Sequence, residues 1–134
     1  MKISLASLTA SDWFLYRAQI DPSLKIIAFE TACPWKQHLF DIEEETQISE
    51  NAKALYAIFP DEAGQWRVQA IPIDPDSFDS RKPLPEPWRG LRDQALSDIS
   101  GVPGCVFVHA SGFIGGNLTK VKFLILIILI GRNA

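Results

Sequence analysis

Arg81–Gly116 reads RKPLPEPWRGLRDQALSDISGVPGCVFVHASGFIGG, and its punctuation sets the architecture. Pro83, Pro85 and Pro87 hold the first residues in a loop. Leu91, Ala95, Leu96 and Ile99 then recur at helical spacing. They predict a short amphipathic helix from about Leu91 to Ser100 with these four on its inner side. Gly101 takes the position after the helix and Pro103 prevents its resumption. Cys105–His109 (CVFVH) is too apolar for a half-exposed strand and reads as a central one. A glycine-rich turn, His109–Gly116, follows and is read as opening a further helix.

Working outward, Lys25–Glu30 (KIIAFE) is a short strand, β-branched in its middle. Pro34 suits the first position of a helix, where its missing N–H costs nothing. Trp35, Leu39 and Ile42 follow at i, i+4 and i+7 as one buried stripe. The acids Asp41, Glu43, Glu44 and Glu45 sit at the wrong end of that helix for its dipole, which predicts that they lie in water as it frays. Ala54–Phe59 and Gln65–Ile73 read as a hairpin, with Asp61–Gly64 as its loop and Gly64 free to take positive φ. In its second strand Trp66, Val68 and Ala70 alternate with polar neighbours, the pattern of a sheet with one wet face. Pro72, Pro75 and the Asp and Ser residues around them then end regular structure until Pro87. The order predicts an α+β fold: a mixed sheet of about four strands with helices packed mainly on one face. No internal repeat is present.

At 134 residues the length suits one domain with a real core. The net charge of −3 argues against a broad basic face for nucleic acid. It leaves room for a local one, because Arg81, Lys82, Arg89 and Arg92 fall within a dozen residues. Cys33 and Cys105 are far apart and outside any C-x-x-C pair, so they read as two reduced, buried thiols. The first residues, MKISLASLTASDWFLYR, lack the continuous apolar core of a secretory signal.

The strings PLPEPWRGLRD and VHASGFIGG, with CPWKQHLFDIEEE (Cys33–Glu45) and AGQWRVQAIP (Ala63–Pro72), resemble the C-terminal region of the melanocyte proliferating gene family. That family is related to the DHH phosphoesterases. The resemblance covers residues 20–116, after a poorly assigned segment 1–19 and before a divergent apolar tail, 117–134. It implies a metal-dependent hydrolase with 3′-to-5′ RNA exonuclease activity, a divalent metal (manganese by expectation), and a place in nucleus and mitochondrion. The family's metal-binding half lies N-terminal to this region. The only histidines here are His38 and His109, and no DHH-like triplet occurs. Two-metal hydrolysis needs several Asp and His side chains converging on ions roughly 3.5–4 Å apart. The expectation is therefore a chain that binds no metal, does not cut RNA alone, and needs the missing metal domain as its partner. A free-standing, non-catalytic RNA- or phosphate-binding or regulatory module is the alternative.

HASGFIGG is the foremost site candidate. A strand ending in a glycine turn that opens a helix offers backbone N–H groups to an anion. The resemblance places substrate at Gly115, Gly116 and the next position, here Asn117, which can donate to a phosphate oxygen but carries no charge. The same string read as spacing alone describes a packing turn, with Gly112 inside it. His109 ends a buried strand, where a satisfied core histidine stands beside a substrate role. Ser111 lacks the G-x-S-x-G setting of an activated nucleophile and reads as a turn hydroxyl. Arg89 and Arg92, with Arg81 and Lys82, fit either a grip on phosphates, Trp88 stacking a base, or a solvated loop paired with Glu86, Asp79 or Asp93. Asp74–Asp79 lacks the central Gly and final Glu of a calcium loop.

Phe123–Ile130 are eight consecutive apolar residues, far short of the ~20 that span a bilayer, so no membrane partner is expected. The run reads as a final buried strand or as read-through from a mis-spliced gene end, with a membrane anchor the most distant reading.

Overall fold

The computed structural model describes residues 25–29 and 35–118. Pro34, Cys33, the N-terminal segment and residues 119–134 of the apolar tail lie outside the described residues. The fold is α+β, built on one mixed sheet of five strands in the order β1-β2-β3-β5-β4. β1 (Ile26–Ala28) runs parallel to β2 (Tyr56–Pro60), with Ile26 opposite Tyr56 and Ala28 opposite Ile58. Parallel neighbours need a crossover, and α1 (Lys36–Thr46) supplies it.

β2 and β3 (Trp66–Ala70) form the expected hairpin, Ile58 facing Val68. Asp61 organises its loop. Its carboxylate accepts the N–H groups of Ala63 and Gln65, both at 2.9 Å, and the Arg67 side chain at 3.3 Å, while Gly64 takes φ +85°. Burial works to raise the Asp61 pKa, but the hydrogen bonds from Gln65, Arg67 and Ala63 outweigh it and leave the carboxyl below its ordinary value.

Alternation along the strands divides the buried residues between two faces. Ile26, Ala28, Tyr56, Ile58 and Val68 join Leu84, Trp88 and Leu96 on one. Ile27, Phe29 and Ala57 join Trp35, Leu39 and Ile71 on the other. α1 therefore covers one face, with the Trp35 ring stacked 6.1 Å from Phe29. α2 (Asp93–Ser100) covers the opposite face through Leu96. Covering both faces explains why β1 is buried along its whole length.

Several local expectations change. α1 does not fray among its acids: Gln47 closes it in the left-handed region at φ 48°, donating to the Glu43 and Glu44 carbonyls. Glu43 is buried rather than in water. α2 begins two residues later than its pattern predicts. Of the four inner positions Leu96 is buried and Leu91 half-buried, whereas Ala95 is exposed and Ile99 is 55% exposed. An eight-residue helix has barely two turns, and its line of contact with the core runs through Leu96. Gly101 ends it at φ 76° as expected.

β4 (Cys105–Val108) is an edge strand, not a central one. Its apolar side chains are covered by α2 and by the guanidinium groups of Arg67 and Arg92, 5.0 and 5.8 Å from the Phe107 ring centre. The glycine-rich run continues as β5 (Ile114–Asn117), a fifth strand between β3 and β4, rather than as a helix. The β4–β5 ladder shifts register between Cys105 and Phe107, as a bulge does.

Candidate functional site, a groove beside the β4–β5 turn

His109 leaves β4 and the chain reverses through Ala110, Ser111 and Gly112. Gly112, at φ 76°, donates its N–H to the His109 carbonyl at 2.8 Å, and His109 N–H reaches Ile114 O at 2.9 Å. A Cβ at Gly112 would stand 2.6 Å from Arg89 Nε and 3.2 Å from Leu84 O, so this turn requires glycine twice over.

The turn fixes His109. Ser111 N–H donates to Nδ1 at 3.1 Å, and Ser111 Oγ lies 2.9 Å from the same nitrogen. Nδ1 is thereby an acceptor and the hydroxyl a donor to it. The ring proton of neutral His109 then sits on Nε2, available to a ligand. The imidazole meets the Phe113 ring edge-on at 4.8 Å. His109 and Ser111 are both exposed, so neither the core-histidine reading nor a buried strand end applies.

Beside this turn lies a groove of about 610 Å³. His109, Ser111 and Phe113 form one part of its lining; Gln69 of β3 and Lys36 of α1 add an amide and an ammonium group. The Asp74–Asp79 turn contributes Pro75, Asp76 and Phe78. Largely apolar walls with a few polar groups characterise small-ligand sites. Sequence reasoning found His109 and Ser111 but missed Phe78, Phe113, Gln69 and Lys36. The available signal was Phe78, a lone aromatic in a polar, proline-bounded stretch.

The remaining candidates are placed differently. Gly115 and Gly116 offer no helix start to an anion, because their backbone is paired with β3 on one side and β4 on the other. They are glycine for packing: a Cβ on Gly115 would lie 3.1 Å from Phe107 O and 3.3 Å from Leu84, and one on Gly116 would lie 3.0 Å from the Phe107 ring. Asn117 is completely buried and donates to Pro103 O at 3.1 Å. Arg89 Nε donates to Leu84 O at 2.9 Å, bracing the turn from beneath. Arg92 is exposed beside Phe107. Arg81 is not a phosphate grip either. It pairs with Glu43, and not with Glu86, Asp79 or Asp93. Trp88 is buried and offers no stacking face to a base.

Among the described residues no group of three or more His, Cys, Asp or Glu side chains could hold a metal ion. His38 is exposed on α1. The donors of the described residues do not fit a metal site.

Fold and groove together define a small α+β domain with an open surface groove. The family model for MYG1 exonucleases (Uncharacterised protein family, UPF0160) matches residues 4–128, beyond both ends of the quoted blocks. The chain belongs to this family. It is 55% identical over 105 residues to the MYG1 exonuclease of Homo sapiens, covering 78% of this chain and 27% of that protein. It is 60% identical over 94 residues to a MYG1 protein of Schizosaccharomyces pombe, covering 70% and 28%. A MYG1 protein of Saccharomyces cerevisiae is 50% identical over 104 residues, covering 78% and 30%. The chain thus spans about a third or less of the curated relatives it matches. No solved structure matches it.

Proposed function

We propose that this chain is the substrate-binding portion of a metal-dependent phosphodiester hydrolase resembling 3′-to-5′ RNA exonucleases, and that the groove beside His109 receives the RNA. The observation that carries this reading is the His109–Ser111 pair at the groove, its imidazole oriented by two contacts to Nδ1. An oriented Nε2–H and the ammonium of Lys36 supply donors for phosphate or ribose oxygens without a broad basic face. The family name supports nuclease chemistry, since relatives are called exonucleases; RNA as the substrate is what the resemblance implies. The metal, manganese by expectation, belongs in this reading to the part of the relatives that this chain does not span. The polypeptide alone therefore binds RNA without cutting it.

The test is a manganese-supplemented exonuclease assay on short single-stranded RNA, with binding recorded alongside. Binding without cleavage is expected, weakened by His109→Ala and Ser111→Ala. Cleavage that survives repeated purification, or no binding at all, would end this reading.

A further inference from the structure

We propose that the groove is a stacking slot for a single nucleobase, closed by Phe78; this rests on the RNA-binding reading above. Phe78 is wholly exposed, at 102% of its reference area. An aromatic ring left entirely in water is ordinarily a feature of a loose segment, but its turn is braced. Ile73 N–H donates to Asp79 O at 2.9 Å, and Ser77 N–H to Asp74 O at 3.1 Å. Asp76 N–H reaches Asp74 Oδ1, and Asp79 N–H reaches Ser77 Oγ, both at 3.0 Å. The bridge between Pro72 and Ser80 ties the base of the turn together. A turn held this way presents its ring at fixed cost in entropy, which is the condition for a preorganised contact.

The second aromatic is Phe113, 37% exposed and locked edge-on against His109. Phe78 and Phe113 thus bring two rings, from segments far apart in sequence, to one groove. The stacking role expected of Trp88 passes to them. Every base has a π-face, so such rings bind bases irrespective of sequence. Gln69 adds an amide that can both donate to and accept from a base edge. Asp76 places a negative charge on the loop side, which opposes a phosphate there and accepts from an exocyclic amine or a ribose hydroxyl. A groove of about 610 Å³ suits one nucleotide rather than a folded chain.

The experiment titrates the full 134-residue chain with adenosine 5′-monophosphate, ribose 5-phosphate and inorganic phosphate, in parallel with Phe78→Ala and Phe78→Trp. The nucleotide should bind about tenfold more tightly than ribose 5-phosphate, the scale of one base stacked on an aromatic. Phe78→Ala should remove that advantage without lowering the melting temperature, since the ring packs on nothing. Phe78→Trp should keep it and show indole quenching on binding. Equal affinity for nucleotide and ribose 5-phosphate would overturn the slot while leaving phosphate recognition at His109 intact. No binding of any of the three would overturn both. A base preference that survives Phe78→Ala would remove Phe78 from the slot and sink the proposal.

Discussion

Arg81 closes on Glu43 through both terminal guanidinium nitrogens, at 2.6 and 3.0 Å, joining positions 38 residues apart. The same Arg81 Nη1 donates to Ala54 O at 2.8 Å, and its guanidinium lies 5.1 Å from the Phe40 ring centre. One side chain therefore ties the end of α1, the entry to β2 and the proline-rich loop together.

Removing either partner should leave a buried charge without its counterpart, a loss of about 3–5 kcal/mol. Glu43→Gln and Arg81→Met are each expected to lower the urea midpoint strongly, and a Glu43→Leu/Arg81→Met double variant to recover part of the loss. A single-variant cost under about 1 kcal/mol would put the pair on a par with surface ion pairs and refute its structural role.

Gly115 and Gly116 should differ on substitution. A Cβ on Gly115 meets a backbone carbonyl and two core side chains that have little room, so Gly115→Ala should cost roughly 1–3 kcal/mol. At Gly116 the contact is the half-buried Phe107 ring, which can swing, and Gly116→Ala should cost less. Thermal melts of the two variants decide the order; the reverse order would contradict the strand placement of β5.

Arg89 and Arg92 differ in their settings. Arg89→Ala removes the bond to Leu84 O beneath the turn and should lower the melting temperature. Arg92→Ala, at an exposed position, should change stability by no more than about 1 kcal/mol. Equal melting temperatures for the two variants would reject the bracing role of Arg89.

Tyr56 gives the molecule an alkaline limit. It is fully buried, its hydroxyl has no hydrogen-bond partner among the described residues, and burial pushes its pKa from 10.0 to about 12. A raised acid keeps its proton longer in the folded state than in the unfolded one. Its contribution is complete below the unfolded value and is lost as pH rises through the folded one. Urea midpoints should hold until about pH 10 and then fall toward 12. Tyr56→Phe should flatten that limb and leave neutral-pH stability equal or higher, because it deletes a buried hydroxyl with no partner among the described residues. An unchanged alkaline limb in the variant would assign the effect elsewhere.

The hairpin was legible because its signals are local: alternation in Trp66–Ala70, apolar β2 and Gly64 in the loop. α2 was legible for the same reason, through Leu96 and Gly101. β5 was not. Two glycines present no apolar face, so the string Ile114–Asn117 carries no strand periodicity, and only the Phe107 ring lying against Gly116 explains it. Glu43 looked solvated because its partner is distant in sequence. His109 and Ser111 were visible as a turn, but the groove required Gln69 and Phe78 to be brought beside them, and no local pattern encodes that approach.

β5 comes after β4 in the chain yet lies between β3 and β4 in the sheet. While this polypeptide is being synthesised, the β2–β3 hairpin can close early, but β4 then has no strand to join until Asn117 has emerged. The sheet is completed from its middle by its last described strand. Assembly of the half that carries α2 and the His109 turn therefore waits on four residues, Ile-Gly-Gly-Asn, and this long-range step should set the pace of folding.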